Sequence, residues 1–348
     1  MKITKEFLTF KEIHEKFKKE PPKKFLWGCI KEGGFGLIFG PSKSGKSIFA
    51  ENFAKMIVTG AGEFMGISLD GKPKKVLFMG LEEYWGSRVE RNREQYKTLN
   101  LAEKKLYEEN YLYQPIEYLT LITTKKHWKK LKCTIESSKA AVVIIDSITR
   151  MNHGNIEDSK VAQDIMQNLR TICYDLGITL ICIHHTPKMY GKPLTIDSIK
   201  GSSVFAQESD FAIGINATRN YKTRYFKEIF SRYSSINNDN VLEFEIDNST
   251  CIKNLGKKDE YNLLNGEDYR KLGKGEEILN YFRKHSCKKF KTAELVKNLC
   301  KLLSVQERMI KIYLKDLLVE GKISQNERGT YYLSECKDKL GKEEGDEK

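Results

Sequence analysis

Residues Gly40–Ser47 read G-P-S-K-S-G-K-S and match the G-x-x-x-x-G-K-[ST] spacing of a phosphate-binding loop. In this spacing the backbone N–H groups wrap around phosphates, the lysine reaches the β and γ oxygens, and the hydroxyl holds Mg²⁺. The octet lies between the apolar run Phe35–Phe39 and the helix-like stretch Ser47–Ile57, whose positive end would face the anion. The predicted nucleotide contacts are Gly40, Pro41, Ser42, Lys43, Ser44, Gly45, Lys46, Ser47 and Ile48.

An acidic residue ends a second apolar run, Ala140–Ile145, which is followed by Asp146 and Ser147. Any buried strand can end in aspartate, but downstream of a phosphate loop this pattern favours a magnesium site. The carboxyl ends of parallel strands are where such sheets place their ligands. We therefore predict that Ser47 and Asp146 together hold Mg²⁺.

Hydrolysis of a bound nucleotide also needs a carboxylate that activates the attacking water. Asp146 is followed by serine and not by glutamate, so we expect this carboxylate elsewhere in the chain. The apolar run Val76–Leu81 ends in Glu82 and Glu83. A carboxylate at the end of a strand next to the phosphate loop can orient and deprotonate the attacking water. We predict Glu82 as this base, with Glu83 as the near alternative and an ordinary acidic turn as the structural explanation.

Two histidines, His184 and His185, end the apolar run that begins at Thr179. Adjacent strand residues point to opposite faces and no third ligand lies nearby, which disfavours a metal pair. One imidazole can be a core residue and the other a surface neighbour. We predict that one of them, His185, senses the γ-phosphate and relays to the following loop.

That loop, residues 187–203, is long and contains the turn Gly201–Ser203. Long loops in compact domains are usually either functional or disordered. Its lysines are candidate contacts to a nucleic-acid backbone, although a solvated loop explains them equally well. The candidate residues are Lys188, Lys192 and Lys200.

The bulk composition indicates a cytoplasmic protein with an anionic partner. The formal charge of the 348-residue chain is +13, which favours nucleic acid first and a membrane surface second, or else reflects a solubilising lysine-rich surface. Eight cysteines are scattered without a C-x-x-C pair, as in a reduced chain. We find no secretion signal, and the longest apolar run is far too short to cross a bilayer.

Strand-like and helix-like runs alternate from about residue 26 to 250, which predicts an α/β fold with a mostly parallel central sheet. The early strands are near-continuous apolar runs, as expected when helices cover both faces of a sheet. The later ones follow each other closely and are expected to pair antiparallel at its edge. Helices are predicted at about 127–139 and 160–176. The predicted strands are Phe35–Phe39, Val76–Met79, Ala141–Ile145, Thr179–Ile183, Phe211–Ile215, Tyr225–Phe230 and Val241–Ile246.

The remainder of the chain divides by composition into a basic N-terminal arm (1–25), a linker (251–275), a second domain (276–336) and a charged, disordered tail (337–348). The second domain predicts three helices, at Glu276–Lys284, at Thr292–Leu303 and from an N-cap at Ser304 to about Glu320. Short strands at 321–324 and 330–334 would form a wing. Together these features predict a small winged helix-turn-helix domain.

The third of these helices would contact DNA if the domain follows the usual winged-helix mode, although winged helices also dock proteins. Gln306 faces the same side as the predicted basic contacts. Those contacts are Arg308, Lys311, Lys315 and, at the wing tip, Arg328.

The order of the motifs over residues 26–246 resembles the RecA-like P-loop ATPases of the hexameric replicative helicase type, and within them the small plasmid and phage helicases of the RepA sort. The resemblance rests on G-x-x-x-x-G-K-S, strand-E-E, strand-D-S, strand-H-H-T-x-K, G-S-S and a strand after Ser209-Asp210. It implies ATP and Mg²⁺ as ligands, DNA as a partner and a hexameric ring. A winged helix is not part of that family's core.

The resemblance also implies that each site receives an arginine from the neighbouring subunit. Ile229–Arg232 resembles the family's K-x-R signature, with Phe230 in the place of the lysine and Arg232 as the finger. Arg219 and Arg224 remain competitors.

Two functions are compatible with these residues. The first is an Mg²⁺-dependent ATPase that moves on or remodels DNA, as a helicase or loader of a mobile element. The second is a nucleotide-controlled switch with weak ATPase activity and no unwinding, which regulates a winged-helix module that binds DNA or protein.

Overall fold

The computed structural model describes residues 7–19, 22–151, 158–187, 189, 191–201, 203–219, 222–236, 241–265, 269–285, 288–319, 321–326 and 329–334. The chain divides into two compact units, Met1–Leu264 and Asn265–Lys348. In the described residues no helix is long and apolar enough to cross a membrane.

The first unit is built from alternating strands and helices. Its strands are β1 (Phe25–Trp27), β2 (Ile30–Lys31), β3 (Phe35–Gly40), β4 (Glu63–Phe64), β5 (Ile67–Ser68), β6 (Val76–Gly80), β7 (Tyr111–Tyr113), β8 (Val142–Asp146), β9 (Thr179–His185), β10 (Phe211–Ala217), β11 (Thr223–Ser231), β12 (Val241–Ile246) and β13 (Ile252–Lys258). Its helices are α1 (Phe10–Lys18), α2 (Lys46–Thr59), α3 (Trp85–Lys97), α4 (Leu101–Asn110), α5 (Lys125–Ser138), α6 (Ser159–Leu176), α7 (Val204–Gln207) and α8 (Glu260–Asn265), with 3₁₀ helices at Ile148–Arg150 and Ile196–Ser198.

A central sheet with the strand order β13-β12-β11-β10-β3-β9-β8-β6-β7 organises this unit. From β10 to β7 the neighbouring strands run parallel, whereas β10 to β13 pair antiparallel. The predicted α/β fold with a mostly parallel sheet and an antiparallel edge is therefore confirmed, and so are the predicted strands and the helices α5 and α6.

The parallel strands are buried on both faces, because alternate residues enter different cores. Leu37 and Val143 pack into the cluster that contains α5 and α6. Ile38 and Ile144, their sequence neighbours, pack into the cluster that contains α2 and α4. These strands read as continuous apolar runs for this reason, and their polar residues are concentrated where the strands end.

The second unit contains α9 (Tyr269–Lys284), α10 (Thr292–Leu303), α11 (Glu307–Val319), β14 (Phe290–Lys291), β15 (Ile323–Gln325) and β16 (Thr330–Leu333). Its strands form an antiparallel sheet in the order β14-β16-β15. The three helices and this sheet enclose a separate apolar core that includes Leu295, Leu299 and Leu314.

Several predicted boundaries are wrong. The stretch 251–275 is not a linker, because it holds β13 at the edge of the central sheet, α8 and the start of α9. Its polar composition reflects an edge strand with a solvated face. Ser304 does not N-cap α11 but ends α10 in the left-handed conformation, with φ at 51°.

In the predicted N-terminal arm, α1 has a capping box at Thr9 and no buried residue. The predicted tail lies outside the described residues.

Candidate nucleotide-binding and hydrolysis site

The phosphate loop connects β3 to α2, and its glycines are required by close approach and by backbone conformation. A Cβ atom on Gly40 would lie 1.9 Å from the carbonyl oxygen of Ile215 on β10. Gly45 takes φ of 90° as the N-cap of α2, a conformation that favours glycine. The buried Ser44 hydroxyl has no hydrogen-bond partner among the residues that the structure describes. The loop is thus a cradle of backbone amides at a helix N-terminus, as a phosphate group requires.

Lys46 is buried at the first position of α2, where its ammonium donates to the carbonyl oxygens of Gly40 (3.0 Å) and Pro41 (2.7 Å). Burial lowers the pKa of Lys46 to about 8, while the carboxylates of Asp146 and Glu82 act in the opposite direction. A desolvated ammonium has more to gain from a phosphate than a solvated one.

Ser47 and Asp146 meet as predicted: the Ser47 hydroxyl donates to Asp146 Oδ2 at 2.6 Å. Burial raises the pKa of the Asp146 carboxyl. A hydroxyl and a carboxylate are the oxygen ligands that Mg²⁺ prefers, so this donor set fits the ion. Among the described residues no group of three or more His, Cys, Asp or Glu side chains could hold a metal. Phosphates and water would supply the other ligands, as is usual for Mg²⁺.

Glu82 lies on the bend after β6 and accepts hydrogen bonds from the hydroxyls of Ser147 and Thr149. Its Oε2 is 3.6 Å from Nε2 of His185. The neighbouring imidazole, followed by the two hydroxyls, lowers the pKa of Glu82 to about 2, against the effect of burial. The carboxylate is therefore ionised at neutral pH.

Glu83 makes different contacts from its neighbour. Its two carboxylate oxygens accept from the Arg91 guanidinium, Oε1 at 2.6 Å and Oε2 at 2.6 Å. These hydrogen bonds lower the pKa of Glu83. The structure therefore separates the two candidates for the base: Glu82 contacts the end of β8 and His185, whereas Glu83 is held by an arginine of α3.

The strand that delivers Glu82 is not next to the phosphate loop, contrary to the sequence prediction. The strands β9 and β10 flank β3, and β6 pairs with β8 instead. Gly80 at the end of β6 lies opposite Asp146, and Gly40 lies opposite His185. Glu82 therefore reaches the site along the carboxyl edge of the sheet, next to Asp146.

The two histidines occupy different environments. His184 is fully buried, contacts the ring of Phe205, and makes a 2.7 Å hydrogen bond from Nε2 to the carbonyl oxygen of Lys200. Because a carbonyl only accepts, Nε2 carries the proton. Burial lowers the pKa of His184 to about 4. His185 instead lines the nucleotide cleft, and its backbone oxygen accepts from Lys200 N at 3.0 Å.

One cleft of about 690 Å³ is bordered by the phosphate loop, Glu82, Glu83, Asp146 and His185. Its volume lies within the size range of small-molecule sites. Residues that the sequence did not indicate also line it, from α3 and from the antiparallel edge of the sheet. The lining consists of Ser42, Lys43, Gly45, Lys46, Ser47, Ile48, Glu82, Glu83, Tyr84, Arg91, Asp146, His185, Arg224 and Ile246.

Of the three candidate finger arginines, two lie at the carboxyl end of β10 and one lies at the opposite end. Arg224 lines the cleft of its own chain, opposite Ala217 at the carboxyl end of β10. Arg219 also follows that end of β10. Arg232 follows Ser231, which pairs with Phe211 at the opposite edge.

Arg232 is therefore at the end of the strands away from its own phosphate loop. Its guanidinium donates to the carbonyl oxygens of Ser209 (3.0 Å) and Gln207, and its Nε lies 3.7 Å from Asp210 Oδ1. The side chain remains about half exposed.

The predicted DNA contacts fall into two groups. Lys192 and Lys200 are exposed, on the loop that follows β9. Arg308, Lys311 and Lys315 are exposed on one face of α11, where Lys311 pairs with Glu307 at 2.7 Å. The other predicted contacts, Lys188 and Arg328, lie outside the described residues.

Sequence reasoning missed the side chains that hold the carboxylates. Ser147 was noted only because it is not glutamate, yet it donates to Glu82, as does Thr149 two residues later. Arg91, eight residues after Glu83 on a helix, gave no motif signal. Arg224, predicted only as a competing finger, and Ile246 are remote in sequence and reach the cleft because β11 pairs with β10 and β12 pairs with β11.

Family comparison supports the nucleotide site. Residues 4–190, more than half of the chain, match the family model described as an AAA domain. The chain belongs to this family. It is a P-loop ATP hydrolase, and the matched range contains the phosphate loop, Glu82, Asp146 and His185. No curated protein matches it.

Among solved structures, the chain is similar to a DnaB-like replicative helicase that was described together with its interactions with primase. The TM-score is 0.51 at 12% sequence identity, and the match covers 70% of this chain and 65% of the other. The chain thus spans about two thirds of that helicase. The likeness shows a RecA-like fold, which the motif order predicted.

Proposed function

We propose that this protein is an Mg²⁺-dependent ATPase that acts on DNA as a ring-forming motor of the RecA/RepA-like type, namely a helicase, a loader or a DNA remodeller of a mobile element. The family match and the fold support the ATPase core. The observation that carries the proposal is the meeting of Ser47, Asp146, Glu82 and His185 at one edge of the sheet, around the cleft that holds Lys46.

In this proposal the phosphate loop and Lys46 bind the triphosphate. The backbone amides and the N-terminus of α2 contact the phosphate oxygens, and Lys46 exchanges its carbonyl partners for the β and γ oxygens. Ser47 and Asp146 hold Mg²⁺, which when bound neutralises charge on the phosphates.

Glu82 positions the attacking water. A carboxylate whose pKa is near 2 is always ionised at neutral pH, but it holds a proton weakly. Its contribution is therefore mainly to orient the water through a hydrogen bond. His185, 3.6 Å from Glu82, is placed to respond when the γ-phosphate is present and to pass that change to Lys200 through the backbone.

DNA is proposed as the partner because the chain has a formal charge of +13 and presents exposed lysines next to this relay. Lys200 is hydrogen-bonded through its backbone to both histidines of β9, so the loop that carries it follows the state of the site. A hexameric ring is proposed because Arg232 lies away from its own phosphate loop.

A steady-state ATPase assay with and without single-stranded DNA tests the enzyme proposal. We expect Mg²⁺-dependent turnover that single-stranded DNA stimulates, and none in Lys46→Ala, which lacks the charge on the phosphates. Turnover by pure Lys46→Ala at the wild-type rate would refute the assignment of the loop. Hydrolysis that DNA does not change would favour the second candidate below.

The second candidate is a nucleotide-controlled switch that regulates a winged-helix module. It is favoured by the separate second unit, in which α9, α10 and α11 and a small antiparallel sheet enclose their own core. We propose that this unit is a winged helix, with the exposed basic face of α11 directed at DNA. Its alternative role is to dock a protein.

The basic face of α11 is tested by replacing Arg308, Lys311 and Lys315 with alanine. If these residues contact phosphates, the affinity for duplex DNA should fall. A plot of the logarithm of the binding constant against the logarithm of the salt concentration should become less steep by about 3. The matched control removes three exposed lysines from the other helices of the unit (Lys284, Lys297 and Lys301). Equal effects of both triple variants would mean that only net charge matters, and no effect of either would favour protein docking.

A further inference from the structure

A partly buried network joins the phosphate-loop helix to the bend that carries Glu82. Arg91 on α3 donates from Nη2 to Glu51 Oε1 (2.6 Å) and from Nε to Glu51 Oε2 (3.2 Å). The same guanidinium holds both carboxylate oxygens of Glu83 at 2.6 Å. Arg91 therefore connects two elements of the nucleotide site that are separate in sequence.

Glu51 lies on the same helix as the phosphate-loop residue Ser47, so this network reaches the phosphate-binding element. Glu51 is on α2, four residues after Ser47, and so lies one turn further along the same helix face. Its side chain is completely buried. A buried carboxylate is costly unless it is paired, so the pairing with Arg91 fixes α3 against α2.

A second arginine fills the space behind this pair. The Arg88 guanidinium packs on the ring of Phe78, with Cζ 4.7 Å from the ring centroid, and its Nε lies 3.8 Å from Glu51 Oε1. A Cβ atom on Gly80 would lie 1.4 Å from Arg88 Nη2, so the last residue of β6 must be glycine for the guanidinium to fit. The end of β6 is thus packed against the same α3 side chains.

These contacts determine where Glu82 points. Glu82 and Glu83 are consecutive residues on one bend, so anchoring the Glu83 side chain restrains the backbone of the bend and with it the direction of the Glu82 Cα–Cβ bond. With Glu83 bound to Arg91, the Glu82 carboxylate faces Ser147, Thr149 and His185.

We propose that Arg91 is a positioning residue for ATP hydrolysis: by tying Glu83 to Glu51 it holds the bend after β6 so that the Glu82 carboxylate faces the water-attack side of the nucleotide cleft. This inference rests on the proposed role of Glu82. Arg91 would act on the chemical step through Glu82, and nucleotide affinity would depend on the phosphate loop instead.

The guanidinium is suited to this role because its planar fork serves two carboxylates at once. A lysine at the same position has a single ammonium and cannot reproduce two bidentate pairs. Arg91→Lys should therefore restore only part of what Arg91→Gln loses.

The test measures kcat, KM and nucleotide affinity for Arg91→Gln, Arg91→Lys, Glu83→Ala and the double variant Arg91→Gln/Glu83→Ala in the full chain. Arg91→Gln is expected to lower kcat by roughly 10²-fold, the effect of misplacing a reacting group by about 1 Å, with ATP affinity nearly unchanged. Glu83→Ala should lose a similar factor, and the double variant should lose no more than either single variant.

Controls separate positioning from folding. Arg91→Gln leaves the buried Glu51 without its hydrogen-bonded arginine and with only Arg88 Nε, 3.8 Å away, so Glu51→Gln/Arg91→Gln removes the Glu51 charge and should keep the fold and the kcat defect together. Arg93→Gln changes an exposed arginine of the same helix and should behave like the wild type.

The outcomes are distinguishable. If Glu82→Gln hydrolyses ATP normally, the proposed role of Glu82 is wrong and this inference falls with it. If Glu82→Gln is inactive while folded Arg91→Gln and Glu83→Ala keep the wild-type kcat, Arg91 does not position Glu82. Additive losses in the double variant would likewise overturn the connection through Glu83.

Discussion

At the residue scale, two adjacent glutamates illustrate how neighbouring contacts assign chemistry. Glu82 accepts from two hydroxyls at the end of β8 and lies beside His185, whereas Glu83 is engaged on both oxygens by Arg91. The sequence offers two carboxylates in the same turn. Only their partners distinguish them: Glu82 contacts the residues after β8 and His185, whereas an arginine holds Glu83.

We therefore predict that Glu82→Gln binds ATP normally but hydrolyses it more slowly by orders of magnitude, since the amide lacks the charge that orients water. Glu83→Gln should lose much less, because its amide oxygen still accepts one hydrogen bond from Arg91. Single-turnover hydrolysis together with equilibrium nucleotide binding measures both effects. A slow Glu83→Gln beside an active Glu82→Gln would move the base by one residue.

At the element scale, β9 and the loop after it are joined by a buried imidazole. His184 donates from Nε2 to the carbonyl oxygen of Lys200, and the backbone of Lys200 donates to His185. Two hydrogen bonds therefore link the end of the strand to the basic loop. This is the physical basis for the proposed relay between nucleotide and DNA.

The same imidazole predicts a pH dependence of stability. Burial lowers the pKa of His184 from 6.5 to about 4, so between these pH values the unfolded chain binds a proton that the folded chain does not. Stability should therefore be full above pH 6.5 and should fall as the pH drops towards 4, by up to about 3 kcal/mol from this group.

His184→Gln isolates that contribution, because glutamine can still donate to Lys200 but does not titrate. Urea unfolding at pH 7, 5.5 and 4.5 gives the free energy of unfolding of both proteins. The difference between wild type and variant should change in favour of the variant as the pH falls. Parallel curves would show that His184 does not contribute to the acid lability.

At the scale of the whole molecule, the two edges of the sheet have different functions in the proposed ring. The carboxyl edge carries the nucleotide cleft with Arg224, and the opposite edge carries Arg232. Of the candidate fingers, Arg232 is the one that does not lie at its own carboxyl edge. Hydrogen bonds from its guanidinium to the carbonyl oxygens of Gln207 and Ser209 fix the side chain at the opposite edge.

If Arg232 stabilises charge on a γ-phosphate bound to the neighbouring chain, Arg232→Ala should bind nucleotide normally and hydrolyse it slowly. Mixing it with inactive Lys46→Ala should restore part of the activity, since some mixed interfaces pair an intact loop with an intact finger. ATPase rates of the mixtures and the mass of the assembly with ATP and DNA provide the measurement. A monomeric protein with fully active Arg232→Ala would contradict the ring and favour the switch.

What the sequence determined by itself was local. The phosphate loop, the strands β3, β6, β8 and β9 and the pairing of Ser47 with Asp146 followed from motif spacing and from apolar runs, because strands buried on both faces leave their polar residues at the ends. The edge strand β13 was missed, since a solvated edge strand has the same polar composition as a linker.

The tertiary structure decided everything that depends on which strands are neighbours. It placed β6 beside β8 and away from β3, brought Arg224 and Ile246 to the cleft, and joined Glu51 to Glu83 through Arg91. Strand order and side-chain pairing between remote segments are set by how the two apolar faces pack against helices. No local pattern encodes that packing, so the different partners of Glu82 and Glu83 are visible only in the fold.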